Sequence, residues 1–510
     1  MPKVLILDFG SQYTQLIARK IRELGVFSEI LPYSTPLPAL KAASPSALVL
    51  SGGPQSIYGQ GAPRADQGIF GLGLPILGIC YGLQFMVHSL GGQVVSSVKR
   101  EYGLALLLAE NRKGLLRGVK EKSQVWMSHG DRAAGLPEGF VTTGSTANTR
   151  AAVIENPARG FYGVQFHPEV IHTREGIKIL KNFLFRIAGF QADWNMPSFI
   201  ERKVAEIRAA VGGGKVMSGL SGGVDSLVTS LIVQKAVGRR LTCVFIDNGL
   251  LRVGQYQALL DAFRRRFNLK VVGIDASDLF LDRLKKIVSP EKKRKIIGET
   301  FIDLFEKEAV RLGGIDFLAQ GTIYPDVIES NPVKGPSSVI KSHHNVGGLP
   351  SDIKFRLVEP LRELFKDEVR ALALEMGVDR EYIRQHPFPG PGLAVRIVGE
   401  VTKENLDILR DADEIVIREV LKAGLYRKLW QAFAVLLPVR SVGVMGDKRT
   451  YERVVAVRLV ESKDGMTADW HKASPELLSR ISTRIVNEVA GVNRVVYDIT
   501  SKPPGTIEWE

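Results

Sequence analysis

Cysteine is almost absent from this chain: Cys80 and Cys243 are the only two in 510 residues. Two cysteines cannot build a disulfide framework, and their scarcity predicts a reducing, cytoplasmic setting. No apolar run approaches the ~18 residues that a membrane helix needs. The N-terminus also lacks the charged, apolar and small-residue layout of a signal peptide. We therefore expect no contact with a membrane.

Acidic residues are in deficit, which gives the chain a net charge of +14. The excess is spread along the sequence, and the only dense basic cluster lies at residues 291–295. Spread charge indicates a solvated surface or sites for phosphate groups, whereas nucleic-acid binding favours a continuous basic stripe. We expect no nucleic-acid partner.

The length suggests roughly three domains of ~150 residues each. Residues 191–197 are polar and end in a proline, and residues 386–392 contain three prolines and two glycines. Such stretches favour linkers or stiff loops, so we predict domains at 1–190, 191–386 and 387–510. The chain is assigned to the α/β class. Alternating strands and helices predict doubly wound parallel sheets in the first two domains, and the third reads as a small α+β unit.

Cys80 has glycines two positions away on both sides, at Gly78 and Gly82. This spacing is typical of a nucleophile elbow, a strained strand-to-helix turn that exposes the central side chain. A cysteine there lies at a helix N-terminus, which favours the thiolate. A buried structural cysteine would not need the paired glycines.

A histidine and a carboxylate are spaced to assist that cysteine. In an extended segment, His167 and Glu169 lie on one face because side chains alternate. The pair suits a catalytic base oriented by a carboxylate, with Cys80 as the attacking atom. A His-Pro-Glu run alone could equally be a surface turn.

The elbow and the His-Pro-Glu run together resemble the class I glutamine amidotransferases. The resemblance implies hydrolysis of glutamine to glutamate and ammonia through a thioester on Cys80. It also implies that the turn at residues 51–54 supplies an oxyanion hole, with Gly53 and Tyr81 as its members. Residues 98–103 are expected to contact glutamine.

A second glycine-containing turn follows an apolar segment at residues 216–220. Backbone N–H groups in such a turn, followed by a helix N-terminus, bind phosphate. The turn is not a Walker loop, because no Gly-Lys-Ser/Thr follows it. It resembles the pyrophosphate loop of the N-type ATP pyrophosphatases, which cleave ATP between the α and β phosphates. The ATP-binding residues implied are Ser221, Gly222, Gly223, Val224, Asp225, Ser226 and, through its backbone, Val244.

Magnesium is the expected cofactor, bound together with the co-substrate ATP. Asp225 is the expected protein ligand, although an aspartate in a turn is often only a turn residue. Residues 319–330 offer further oxygen atoms at a predicted strand end. The glycines at residues 341–350 favour a mobile loop, a lid in which Lys341, His343 and His344 could stabilise phosphate charge.

The combination of motifs resembles the glutamine-hydrolysing GMP synthase family from residue 3 to residue 510. The resemblance implies synthesis of GMP from XMP, ATP and glutamine, through an O2-adenylyl-XMP intermediate, by a homodimer joined through the third domain. The implied XMP contacts are Arg294, Gln431, Asp447, Lys502 and Glu508. The alternatives are another ammonia-using N-type pyrophosphatase, such as an NAD synthetase, and a non-catalytic nucleotide-binding or scaffold protein. The scaffold would be expected to have lost the nucleophile or the phosphate loop.

Overall fold

The computed structural model describes residues 2–330, 355–445, 447–462 and 465–510. The chain forms two compact units that divide between Phe199 and Ile200. Among the described helices, none is long and apolar enough to cross a membrane.

The first unit is built on a nine-stranded mixed sheet within the described residues. Its strands are β1 (Val4–Asp8), β2 (Ser28–Pro32), β3 (Ala47–Leu50), β4 (Ile76–Ile79), β5 (Gln93–Ala109), β6 (Lys122–Gly135), β7 (Val141–Ser145), β8 (Val153–Asn156) and β9 (Phe161–Val164). Its helices are α1 (Thr14–Glu23), α2 (Leu37–Ala42), α3 (Tyr81–Ser89) and α4 (Gly176–Lys181), with a 3-10 turn at Gln67–Gly71 and a π-helical turn at Asn182–Ile187. Helix α5 (Met196–Val211) crosses the division between the units.

The strand order of this sheet is β2-β1-β3-β4-β9-β8-β7-β5-β6. The first five strands are parallel, which confirms the predicted parallel sheet. The last four are antiparallel additions, which the sequence does not reveal. In a parallel sheet the loops that carry chemistry follow the carboxyl ends of the strands. Cys80 follows β4 and His167 follows β9, so the two meet at one edge.

The second unit begins with a parallel sheet in the order β12-β11-β10-β13-β14. Its strands are β10 (Lys215–Leu220), β11 (Leu241–Asp247), β12 (Val271–Asp275), β13 (Ile315–Ala319) and β14 (Arg356–Val358). The accompanying helices are α6 (Val224–Val237), α7 (Gln255–Asp261), α8 (Ser277–Leu284), α9 (Pro290–Leu312), α10 (Tyr324–Ser330), α11 (Lys366–Glu375) and α12 (Arg380–Ile383), with short turns at Gly238–Arg240, Ala262–Arg266 and Gly392–Arg396. The order places the crevice between β10 and β13, where doubly wound sheets bind ligands.

A four-stranded sheet completes the second unit, as the α+β prediction requires. Its elements are α13 (Lys403–Lys422), β15 (Gln431–Met445), β16 (Lys448–Glu461), β17 (Asp469–Trp470), α14 (Pro475–Glu488) and β18 (Val492–Tyr497). One hydrophobic core takes in Met217 and Val244 from the parallel sheet and Leu436 and Val455 from this one. The two sheets therefore pack as one body, and the boundary proposed at residue 387 stays a prediction.

Candidate active site

The strand-to-helix turn expected at Cys80 is present between β4 and α3. Cys80 has φ 52° and ψ −105°, a backbone conformation that residues other than glycine rarely adopt. Close packing leaves room only for glycine at positions 78 and 82. A Cβ atom on Gly78 would lie 2.7 Å from the Leu83 nitrogen, and one on Gly82 would lie 2.2 Å from the Leu50 oxygen.

His167 is fixed after β9 by its backbone and by its ring. Its N–H donates to the Trp126 oxygen at 3.0 Å, and its ring Nδ1 lies 2.7 Å from Glu169 Oε1. Burial lowers the pKa of His167, but the Glu169 carboxylate and hydrogen bonds to Cys80 and Glu169 outweigh burial and raise that pKa well above its usual range. The three predicted residues therefore meet as a triad in which the imidazole is held protonated.

Two glutamines that no sequence motif singles out complete the surroundings of Cys80. Gln165 is fully buried and its Nε2 donates to Cys80 Sγ at 3.7 Å. Gln84 donates to the Asp131 oxygen at 2.7 Å and to Gln165 Oε1 at 3.4 Å. Gln165 lies two residues before His167, so strand alternation was an available signal.

The turn at residues 51–54 lies against the triad. Ser51 Oγ accepts from the Phe9 N–H at 3.0 Å and donates to the Gly52 oxygen at 2.8 Å, which fixes the turn. A Cβ atom on Gly53 would lie 3.1 Å from Tyr81 Cγ, so the two expected oxyanion-hole residues are neighbours. Tyr81 begins α3, where helical N–H groups are available to an anion.

The segment at residues 98–103 contains a carboxylate with a structural role. Glu101 accepts from Thr149 Oγ1 at 2.7 Å and lies 3.3 Å from His129 Nε2. Burial lowers the pKa of His129, although Glu101 opposes this. Glu101 is therefore held in a buried polar cluster, and contact between the segment and glutamine stays a prediction.

Replacing Glu169 by glutamine should make the stability of the first unit depend differently on pH. Because the pKa of His167 is raised in the folded state, its charged form stabilises the fold fully below pH 6.5. This contribution disappears as the pH rises through the raised pKa. We expect the free energy of unfolding of the variant to be lower by about 1–3 kcal/mol at about pH 6. The loss should be distinctly smaller at alkaline pH. Thermal melting at the two pH values measures both. Glu138→Gln, on an exposed turn, should follow the unchanged protein at both pH values.

The second predicted site, at residues 221–226, is a compact turn between β10 and α6. Ser226 Oγ accepts from the Ser221 N–H at 3.1 Å and donates to the Gly223 oxygen at 3.1 Å. Gly222 has φ +82°, and a Cβ atom there would lie 2.8 Å from Leu259 Cδ1, so glycine is required. Tyr382 Oη donates to the Gly222 oxygen at 3.0 Å. The loop is thus preorganised, as an anion cradle requires.

A lysine that the sequence does not single out reaches this loop. Lys366 Nζ, at the start of α11, lies 2.6 Å and 2.5 Å from the two oxygens of Asp225. Both side chains are partly exposed. The pair places a cation and a carboxylate beside the phosphate cradle, where they can serve the phosphates and a metal ion respectively.

The residues of this site fit a magnesium ion that is bound together with ATP. The described residues contain no group of three or more His, Cys, Asp or Glu side chains that could hold a metal. Mg²⁺ in nucleotide enzymes is commonly held by one or two carboxylates together with substrate phosphates. Asp225 supplies one such carboxylate. The side chain of Val244 is fully buried in β11, which leaves only its backbone for the expected contact with ATP.

Four of the five residues expected to contact XMP lie in or around the C-terminal tail, residues 500–510. Gln431 Nε2 donates to Glu508 Oε1 at 3.0 Å, and Arg294 Nη2 donates to the Glu510 backbone oxygen at 2.5 Å. Lys502 belongs to the same tail, but its Nζ donates to the Gly465 oxygen at 2.8 Å. The tail is therefore docked against other parts of the second unit, and Lys293, which is fully buried, pairs with the side-chain carboxylate of Glu510.

Asp447 lies elsewhere in the chain. It lies two residues beyond β15, a strand of 15 residues that begins at Gln431, so the two residues are up to roughly 53 Å apart along the chain at about 3.3 Å per residue. The structure does not bring Asp447 to the tail within one chain. The lid residues Lys341, His343 and His344 lie outside the described residues.

Comparison with known proteins finds similarity over the whole chain. The family model "Glutamine amidotransferase class-I" matches residues 5–187, and the model "GMP synthase C terminal domain" matches residues 418–509. The GMP synthase [glutamine-hydrolyzing] of Brachyspira hyodysenteriae is 56% identical over 100% of this chain and 99% of its own. That of Chlorobium limicola is 57% identical over 100% of both. This chain therefore belongs to the glutamine-hydrolysing GMP synthase family.

Proposed function

We propose that this chain converts XMP to GMP, using Mg·ATP and ammonia released from glutamine. The observation that carries the proposal is that one chain holds both the Cys80–His167–Glu169 triad and the loop at residues 221–226. Its similarity to GMP synthases extends over the whole length. Glutamine hydrolysis and nucleotide activation are thereby assigned to separate compact units.

In the first unit, the Cys80 thiolate attacks the glutamine side-chain carbonyl. The N–H groups of Gly53 and Tyr81 stabilise the oxyanion. His167, held protonated by Glu169, gives its proton to the departing ammonia. A γ-glutamyl thioester remains on Cys80, and water hydrolyses it to glutamate.

In the second unit, the O2 atom of XMP attacks the α phosphorus of ATP and expels pyrophosphate. Residues 221–226 hold the leaving group through backbone N–H groups, and Lys366 adds a positive charge. Bound magnesium, with Asp225 as its ligand, would neutralise phosphate charge. Ammonia then displaces AMP from the O2-adenylyl-XMP intermediate and gives GMP.

Analysis of the products tests this proposal against the alternative of another ammonia-using pyrophosphatase. The protein is incubated with Mg·ATP, glutamine and either XMP or nicotinic acid adenine dinucleotide. We expect AMP, pyrophosphate and GMP in equal amounts with XMP, and no reaction with the dinucleotide. Formation of ADP would contradict the assignment of the phosphate loop. An NAD product would favour the alternative.

We also infer a homodimer, a cytoplasmic setting and the division into the three predicted domains. The unpaired state of Cys80 and Cys243 supports a reducing compartment. The hairpin of β15 and β16 supports the dimer, because its outer part exposes Val439, Val442, Val444 and Tyr451. Exposed apolar patches of this kind mark protein interfaces.

A charge placed on the hairpin should separate the dimer. Val442 and Tyr451 are paired across the two strands, so Val442→Asp buries an unpaired carboxylate in the proposed interface. We expect dimer affinity to fall at least about 100-fold, measured by light scattering after size-exclusion chromatography. Leu104→Asp, at an equally apolar exposed strand position of the first unit, is the matched control and should remain dimeric. If Val442→Asp stays dimeric, the hairpin is not the interface.

A further inference from the structure

A buried arginine, Arg396, binds the carboxylate of Glu508 in the C-terminal tail. Arg396 ends the turn Gly392–Arg396 and is 1% exposed. Its Nε donates to Glu508 Oε2 at 3.0 Å and its Nη2 donates to Glu508 Oε1 at 2.9 Å. Two parallel bonds from a planar guanidinium fix both the position and the plane of a carboxylate.

Arg396 is itself held on three sides. Its Cζ lies 4.1 Å from the centre of the Phe433 ring and 5.4 Å from that of Phe388. Its Nη1 lies 3.9 Å from Asp413 Oδ1, and that oxygen also accepts from the Ala434 N–H at 2.9 Å. Stacking and charge together leave the guanidinium little freedom to rotate.

Gln431 fixes the carboxylate from another side. Its Nε2 donates both to Glu508 Oε1 and to the Pro387 oxygen, the latter at 2.7 Å. The proline-rich segment at residues 386–392 thus contributes a ring and a carbonyl to the network. A carboxylate can accept about four hydrogen bonds, and these contacts use three. The Glu508 side chain is still 17% exposed, so a ligand can reach it.

We propose that Arg396 is a positioning residue for XMP recognition: it aims Glu508 so that the free acceptor position receives a purine N–H. The inference rests on the proposed function, since it requires that the chain binds XMP; the contact between Glu508 and the purine is part of the inference itself. Arg396 does not touch the substrate, and its whole effect on XMP passes through the Glu508 carboxylate.

The test is a double-mutant cycle on XMP affinity, with Arg396→Lys, Glu508→Gln and the pair combined. Lysine keeps the charge but cannot make two parallel bonds. We expect KM for XMP to rise about 30-fold in each single variant and KM for ATP to stay within about twofold. KM for XMP in the double variant should be no higher than in Glu508→Gln alone, because the two residues act as one unit. Phe388→Leu, a milder change, should repeat the pattern at lower amplitude if Arg396→Lys folds poorly.

Arg458→Lys is the matched control. Arg458 is as buried as Arg396 and also holds the tail, but it donates to the backbone oxygens of Thr500, Thr506 and Ile507. Its effect should add to that of Glu508→Gln. If Arg396→Lys is also additive, or raises both KM values alike, Arg396 is only structural and the inference fails. If Glu508→Gln leaves KM for XMP unchanged in an active enzyme, the inference alone fails. If the unchanged protein makes no GMP, the proposed function fails.

Discussion

Cys80→Ala is expected to abolish GMP formation from glutamine while leaving formation from ammonium salts close to normal. The variant keeps the fold, because alanine is smaller and the turn at Cys80 is set by close packing of Gly78 and Gly82. It loses the atom that forms the thioester, so the glutamine-dependent rate should fall by about 10⁴-fold or more. The measurement compares the rate of GMP formation with glutamine and with a high concentration of ammonium.

The second cysteine provides a matched control for this prediction. Cys243 lies fully buried in β11, and burial raises the pKa of its thiol to about 12. It is therefore inert as a nucleophile, and Cys243→Ala should retain both activities. If Cys80→Ala also loses the ammonium-dependent reaction, the assignment of the two half-reactions to separate units is wrong.

Asp225→Ala is expected to eliminate GMP formation from both nitrogen sources. Removing the carboxylate takes away the proposed magnesium ligand and releases Lys366, which Asp225 holds through both its oxygens. Each loss weakens the handling of the leaving pyrophosphate. We expect a fall of at least about 10²–10³-fold in the rate of AMP formation, with glutamine hydrolysis by the first unit retained.

Asp278 offers a control in the same sheet. Like Asp225, Asp278 lies in the first turn of a helix that follows a parallel strand. Its helix is α8, and the Asp278 side chain is exposed. Asp278→Ala should change the rates by less than about twofold. Equal losses in the two variants would mean that Asp225 acts through helix stability and not through phosphate chemistry.

The parts of the site that depend on local backbone geometry could be predicted from the sequence. Gly78 and Gly82 indicate the elbow, and Gly222 indicates a turn with positive φ, because no other residue fits these positions. The parallel sheets were also predictable, since buried strands alternate with amphipathic helices. His167 and Glu169 were within reach because two residues of extended chain place them on one face.

The parts that depend on contacts distant in sequence could not be predicted. Lys366 lies 141 residues from Asp225, and Arg396 lies 112 residues from Glu508. Each looks like an ordinary charged residue on its own segment. The antiparallel strand β5 gave no distinct signal, because its outer face carries the exposed leucines Leu104, Leu106 and Leu108 in place of polar residues.

The most direct test of the account follows the nitrogen atom from one unit to the other. The protein is given glutamine labelled with ¹⁵N in the side-chain amide, together with XMP, Mg·ATP and an equal concentration of unlabelled ammonium at neutral pH. Mass spectrometry then measures the label in GMP and compares it with the amount of AMP formed. We predict that the 2-amino group of GMP carries the glutamine nitrogen, with one AMP for each GMP. The account would be contradicted if the ¹⁵N enrichment of GMP were no higher than that of the free ammonium in solution. Formation of ADP in place of AMP would also contradict it.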